Sequence, residues 1–476
     1  MTSIDALALL PLIITMGTSI LVMLAIAIHR SHAWVVALTV AGLAVAFISL
    51  FAAAGVIPHQ PTPLLIVDSY ALFYMGLILA SAGAVALLSY KYFAAHEGDP
   101  EELYLLLLVA TLGCETLVAS AHFASFFLGL EILSVSLYGM IAYLTDRKQP
   151  LEAGIKYLIL AAASSAFLLF GMALVYADLG TMEIGQIAAR GMAAPYSALT
   201  LTGMALIITG IGFKLALVPF HLWTPDVYQG APAPVTAFIA TASKSSMFAL
   251  LLRYFHGSPL HGAMFTIFTI IAIASMLAGN LLALLQSNVK RILAYSSIAH
   301  LGYTLVAFLA GGEAGAEAVT FYLVAYTVTT LGAFGVIAAL SPSERDADRI
   351  EDYQGLFWRK PWSAAIFTGM LFSLAGIPAT AGFIGKFYVV AAGAAATIWA
   401  LIVILVVTSA IGLYYYLRIV VALYSAAPEE AAPIARAPAA SGFVLGVLAL
   451  LLVWLGVYPQ PMIQMIRNAA AALGLS

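Results

Sequence analysis

The sequence predicts an all-α polytopic membrane protein, on three observations. Its 476 residues are 63% hydrophobic and 9% charged, with a mean hydropathy of +1.04, far from the composition of soluble folds of this length. Runs of about 20 apolar residues, the length that crosses a bilayer as a helix, recur along the whole chain. The connections between them are short, and none could hold a soluble domain.

Fourteen spans are read from the apolar runs, at 6–28, 33–56, 69–93, 102–120, 122–144, 152–178, 197–222, 233–254, 262–285, 291–311, 316–340, 362–392, 397–424 and 441–462. The first lacks a basic leader, with Asp5 before it and Arg30 the first basic residue, so it reads as a retained helix. Asp68 opens the third, and Asp226 stands in the WTPD turn; either can cap a helix. Glu115 in the fourth and Asp178 at the end of the sixth read as interfacial carboxylates. The seventh is broken by Pro219, because proline removes a helix donor and clashes with the preceding turn. The twelfth is too long for one straight helix; it contains Gly376-Ile377-Pro378, then Gly382 and Gly385, and reads as broken at Pro378. The longest polar connections are 190–195, 341–361 and the Ala/Pro-rich 426–440.

Placement of basic residues predicts orientation. Twelve of the 19 Lys and Arg fall on connections after odd-numbered spans, three (Arg190, Arg253 and Arg467) on the other side, and four within spans. The first side is cytoplasmic, and both termini are expected outside, in the periplasm of a bacterium.

Spans four to eight and nine to thirteen each hold five helices. An odd number makes two consecutive units inverted relative to each other. The broken spans seven and twelve fall at the same place in each unit, and Ser243–Arg253 resembles Thr408–Arg418. Inverted repeats with interrupted helices point to transport at their interface. The expected divisions are a three-helix segment 1–101, repeats 102–260 and 261–425, and a linker with a last helix, 426–476.

Charges inside spans are the candidate chemistry. Each costs roughly 2.5–3.5 kcal/mol on insertion scales. Lys244 lies near the middle of span eight, too deep to reach an interface. Lys214 lies five residues before Pro219, and Lys386 eight after Pro378. Glu131 sits mid-span in FFLGLEILSVSLYG and needs a partner, for which Lys214 is the natural candidate. A carboxylate moving toward or away from a buried lysine decides whether that lysine holds its proton, so the group permits proton transfer without covalent change. Lys156, one turn into its span, can equally snorkel to the surface. Lys290 is either an orientation signal or a relay. His300 in YSSIAHLGY is either a neutral helix-to-helix hydrogen bond or a relay. His221 comes after the break, where it can bond freed carbonyls or water.

Cofactor chemistry finds no support. Cys114 is the only cysteine, which excludes a disulfide framework and multi-cysteine iron–sulfur ligation. The nine histidines form no HExxH or CxxCH, and the chain has no Walker loop. No cofactor or metal site is expected in this chain.

The segments FLGLEILSVSLYG, EAGIKYLILAAASSAFLLFG, GFKLALVPFHLWTPDVYQGAPAPVTAFIATASK, NVKRILAYSSIAHLGY and GIPATAGFIGKFYV resemble the antiporter-like membrane subunits of respiratory complex I, the proton-pumping NADH:quinone oxidoreductase. The resemblance covers about 110–424. The PFHLWTPDVYQGAP stretch resembles the subunit N family rather than its paralogues L and M, as does the lysine at 386, where M carries a glutamate. The lack of a long lateral helix after span fourteen also argues against L. The resemblance implies a fourteen-helix fold with two inverted repeats. It implies Glu131 and Lys214 as a coupled pair, Lys244 as central relay and Lys386 as terminal proton site, with lesser parts for Lys156, His221, Lys290 and His300. It implies that NADH, FMN, iron–sulfur clusters and quinone are bound by other subunits, and that the partners are membrane subunits in a bacterial inner membrane, with no nucleic acid. Glu115 departs from an apolar position and leaves room for an extra outer-side site. Two other readings share these features: a subunit of an Mrp-type cation/proton antiporter or membrane hydrogenase, and a stand-alone secondary transporter.

Overall fold

The structure is a computed structural model describing residues 2–96, 98–193, 196–255, 262–426 and 439–473. The expected boundaries near 260 and within 426–440, together with Arg436 and the C-terminal Ser476, lie outside the described residues.

The chain starts with a short helix α1 (Ser3–Ala8), capped by Thr2. Then come α2 (Leu10–Ile28) and α3 (His32–Ala53). A small antiparallel ribbon, β1 (His59–Thr62) and β2 (Leu65–Val67), leads to α4 (Ser69–Ala94). Asp68 caps α4 as expected, accepting from the Ala71 amide at 2.8 Å.

The first five-span unit is α5 (Glu101–Val118), α6 (Phe123–Ile141), α7 (Lys148–Leu179), a split seventh span and an eighth. A surface helix α8 (Ile184–Ala193) precedes the split span, which consists of α9 (Ala198–Leu215) and α10 (Trp223–Gly230). The eighth runs through α11 (Ala233–Phe238), a π-helical turn at Ile239–Ser243 and α12 (Lys244–Phe255).

The second unit is α13 (Gly262–Leu284), α14 (Val289–Ala310) and α15 (Gly312–Leu340), then a polar connection with a short helix α16 (Leu356–Arg359). Its split span is α17 (Pro361–Ala375) and α18 (Ala381–Ala395), with α19 (Trp399–Tyr424) after it. Helix α20 (Ala439–Val457) and amphipathic α21 (Gln460–Ala471) close the described chain. Twelve of these segments are long and apolar enough to span a bilayer. Helix α5 carries Glu101, Glu102 and Glu115 on a span of similar length, and the α17–α18 pair makes the fourteenth.

The two breaks share one geometry. Helix α9 ends where Ala216 turns left-handed, at φ 61°, and α17 where Gly376 does, at φ 85°. Beyond each, the chain reaches back five residues: Leu217 N–H donates to Gly212 O at 2.8 Å, and Ile377 N–H to Phe372 O at 2.9 Å. This is the Schellman arrangement that satisfies helix-end carbonyls. The first break thus begins at Ala216, three residues before Pro219. Past each break the chain is fastened to the half it left. Trp223 Nε1 donates to Phe213 O at 3.0 Å, and Gly382 N–H to Ser373 Oγ at 2.9 Å.

A second matched pair sets the register of the two units. A Cβ on Gly113 of α5 would lie 2.6 Å from Leu133 N and 2.9 Å from Gly129 O of α6; one on Gly279 of α13 would lie 2.6 Å from Ala299 N and 2.7 Å from Tyr295 O of α14. Both crossings need a residue without Cβ. They also align Leu133 with Ala299 and Gly129 with Tyr295, and hence Glu131 with Ser297 and Ser134 with His300.

Candidate functional site

The core of the molecule is the Ala233–Phe255 span, in which every residue but the partly buried Arg253 is buried. Lys244, its twelfth residue, comes directly after the π-turn. A π-turn widens the helix by one residue and re-aims the side chains beyond it. The Lys244 ammonium donates to Ser297 Oγ of α14 at 2.7 Å and lies 5.4 Å from the Tyr228 ring centroid. Tyr326 OH of α15 donates to the same Ser297 at 2.7 Å.

His300 stands one turn further along α14. Its Nδ1 lies 2.6 Å from Tyr322 OH and its Nε2 3.1 Å from Tyr416 OH. Tyr416 is bonded in turn to Ser296. The His300 ring is 5.5 Å from that of Tyr303, and the Lys386 ammonium is 5.4 Å from the same Tyr303 ring.

Lys386 turns back into the second break. Its ammonium donates to Leu374 O at 3.0 Å and Ala375 O at 2.9 Å, the last carbonyls of α17, and to Ser409 Oγ of α19 at 2.6 Å. The break frees these carbonyls and the lysine uses them. From Lys244 to Lys386 the groups therefore succeed one another through hydroxyls and rings.

In the first unit, the expected contact between Glu131 and Lys214 is not an ion pair. Glu131 accepts from Ser165 of α7 at 2.5 Å. Lys214 donates to Ser134 and to Tyr157 OH, each at 3.0 Å. Ser134 lies one turn past Glu131 on α6, so the hydroxyl takes the place expected of the carboxylate. Between Lys214 and Lys244 the link is aromatic: the Trp223 ring lies 4.9 Å from Tyr157 and 6.4 Å from Tyr228. Among the described residues, no carboxylate comes within 4.0 Å of the Lys214, Lys244 or Lys386 ammonium.

The other candidates lie apart from this row. Lys156 is 44% exposed and pairs with Glu152 at 2.7 Å and Asp226 at 2.9 Å. Arg291 holds the other oxygen of Asp226 at 2.8 Å. Asp226 thus sits inside α10 as an ion-pair centre rather than as a cap. Lys290 is fully buried and pairs with Asp346 at 2.5 Å. His221 is buried in the turn after the break, and among the described residues its Nδ1 has no hydrogen-bond partner.

Of the two carboxylates expected at an interface, Asp178 is exposed and accepts from Ser197 and Thr200. Glu115 is instead 0% exposed, because α2 packs over it, and accepts from Thr15 at 3.3 Å. On the face opposite Lys290, Arg253 grips Asp68 through two bonds of 2.8 Å.

Sequence reasoning missed the hydroxyl partners Ser134, Ser165, Ser297 and Ser409, and the tyrosines 157, 322, 326 and 416. The one available signal was a polar residue inside an apolar run, and that signal is common in membrane helices.

The chain has relatives of known kind. The sequence profile described as NADH:quinone oxidoreductase/Mrp antiporter, TM, matches residues 120–412. NADH-quinone oxidoreductase subunit N of Ectopseudomonas mendocina is 51% identical over 98% of this chain and 97% of its own. A chain of respiratory complex I from Thermus thermophilus superposes with a TM-score of 0.84 at 34% identity, over 96% of this chain and 99% of that one. A chain of the Mrp complex from a Dietzia species shares the fold, with a TM-score of 0.88 at 20% identity over 99% and 98% of the two chains.

Proposed function

The chain belongs to the subunit N family of NADH-quinone oxidoreductase, within the antiporter-like membrane proteins, and from that premise we propose that it moves protons through a lateral row of Glu131, Lys214, Lys244, His300 and Lys386. The reading rests on the setting of the three lysines. Lys214 and Lys244 are buried and Lys386 is partly buried; among the described residues none has a carboxylate within ion-pair distance, and each is held by hydroxyls or carbonyls. A static lysine there is expensive, and hydroxyl partners can pass a proton as well as hold one.

Lys214 and Glu131 form the first station, coupled across Ser134 rather than by direct contact. Lys244 is the central relay, and His300 hands over to Lys386 through its tyrosine neighbours. Lys156, Lys290 and His221 stand beside the row. In this reading the breaks at Pro219 and Pro378 supply carbonyls for side chains and water. Residues 102–260 and 261–425 act as the two inverted halves, with 1–101 and 426–476 as flanking segments. The redox steps, with NADH, FMN, iron–sulfur clusters and quinone, belong to partner subunits of the complex. Both termini face the periplasm.

The test is proton pumping by the assembled complex in sealed vesicles, measured together with quinone reduction. Lys244→Ala should lower proton yield while the complex still assembles. Wild-type pumping by that variant would refute the row.

A further inference from the structure

One buried amide is not a member of the row. Asn280 of α13 is 1% exposed and sits where α13 packs against α14 and α19. Its Nδ2 donates to Met276 O and to Tyr303 OH, each at 2.8 Å, and its Oδ1 accepts from Tyr415 OH at 3.1 Å. The Met276 carbonyl can only accept, so the amide nitrogen must face it. That fixes the direction of the other two bonds: Tyr303 accepts from Asn280, and Tyr415 donates to it. Gly412 of α19 leaves room for the arrangement. A Cβ there would lie 3.1 Å from Asn280 Oδ1 and 3.3 Å from Tyr415 OH.

Both tyrosines lead to the row. Tyr415 packs on Tyr416, with ring centroids 4.4 Å apart, and Tyr416 OH lies 3.1 Å from His300 Nε2. The Tyr303 ring lies 5.5 Å from the His300 ring and 5.4 Å from the Lys386 ammonium. Among the described residues it is the one ring that meets both groups. An aromatic face attracts a cation within about 6 Å of its centroid, so a positive charge on either group is in reach of this ring. The glycine crossings that align Gly113 with Gly279 place Cys114 in the first unit where the second has Asn280. The amide thus belongs to the unit that holds His300 and Lys386.

We propose that Asn280 is a positioning residue for the hand-over between His300 and Lys386. By holding the Tyr303 hydroxyl it keeps one ring against both the donor and the acceptor of the proton. The charge then has the same aromatic partner before and after the transfer. Without the amide, the Tyr303 ring is free to swing away from one of the two, and the charge is left unequally supported. In the step itself the proton leaves a nitrogen of the His300 imidazolium and binds the Lys386 amine, whose own proton has already gone. No bond of Asn280 or Tyr303 is made or broken covalently. The inference rests on the reading of His300 and Lys386 given above.

The test uses the assembled complex in sealed vesicles and reads proton pumping in H2O and in D2O, together with quinone reduction. Asn280→Leu keeps the branched shape and removes every polar atom. Pumping should fall severalfold, and its solvent deuterium isotope effect should rise, because the hand-over becomes the slow step. Wild-type pumping would overturn the proposal. So would a fall in pumping at an unchanged isotope effect, the mark of a merely structural residue. Tyr303→Phe covers failure of that variant to assemble, since it keeps the ring and removes only the hydroxyl that Asn280 holds. It should slow pumping with the same rise in isotope effect, and adding Asn280→Leu to it should cost little more, because the amide acts through that hydroxyl. Normal pumping by Tyr303→Phe, or a full further loss in the double variant, would overturn the anchor. Lys386→Met separates the two levels. If it pumps normally the row itself fails; if it does not, while Asn280→Leu and Tyr303→Phe do, only the positioning fails.

Discussion

Ser297 holds in the second five-span unit the place that Glu131 holds in the first. The glycine crossings at Gly113 and Gly279 fix this register. One unit presents an acid at that position, and the other a hydroxyl that receives Lys244 at 2.7 Å. Ser297→Ala should therefore strip the Lys244 ammonium of its direct acceptor. A hydrogen bond to a charged group contributes about 1.5–3 kcal/mol, and thermal unfolding in detergent should show a loss of that order. Pumping should fall, and Ser297→Thr, which restores a hydroxyl, should recover most of it.

Glu131 and Lys214 make a different kind of prediction, because they do not touch. Glu131→Gln keeps the Ser165 hydrogen bond and removes only the charge. Assembly and melting should stay near wild type while pumping drops. A variant that pumps normally would show that the carboxylate acts only in packing.

Lys386 binds two helix-end carbonyls as well as Ser409. Lys386→Met should cost both stability and transport, with about 1–3 kcal/mol for each carbonyl left unpaired. Circular dichroism melts and pumping would both report it. A loss of pumping at unchanged stability would mean that water replaces the ammonium at the break.

Gly279→Val tests the crossing itself. Its side chain would have to enter space 2.6 Å from Ala299 N, and overpacking typically costs about 1–3 kcal/mol. The yield of assembled complex should fall. The same change at Gly442, which has nothing within 4 Å of its Cβ position, should be silent.

Sidedness is tested by labelling. In a Cys114→Ala background, a cysteine at Ser3 should react with an impermeant reagent outside intact cells. Protection at that position would reverse the orientation that the basic residues imply.

Much of this was legible in the sequence, for physical reasons. A lysine twelve residues into an apolar span cannot reach either surface, so Lys244 announced itself. Pro378 between glycines marked the second break. The first break was placed at Pro219, yet the helix ends at Ala216, because nothing in an alanine signals a left-handed turn that costs it roughly 1–2 kcal/mol. The π-turn before Lys244 left no trace in the apolar pattern. Glu131 and Lys214 were matched by charge alone, whereas the rotation of α6 gives the lysine to Ser134. Glu115 was read from its distance to a helix end, and only the packing of α2 shows that it is covered.

The first break is fastened from the far half of the chain. Val218 N–H, in the turn beyond Ala216, donates to Ser275 Oγ of α13 at 3.0 Å, and Asp226 waits on Arg291 of α14. During synthesis the first half therefore enters the bilayer with an amide and a carboxylate still lacking these partners, and it stays so until the ninth and tenth helices arrive. A chain released after Phe255 would keep the Val218 amide without Ser275 and leave Asp226 to Lys156 alone, and a membrane protease should clear it faster than the full-length polypeptide. What looks like a duplicated pair of transport modules is, for the ribosome, a single object finished only late.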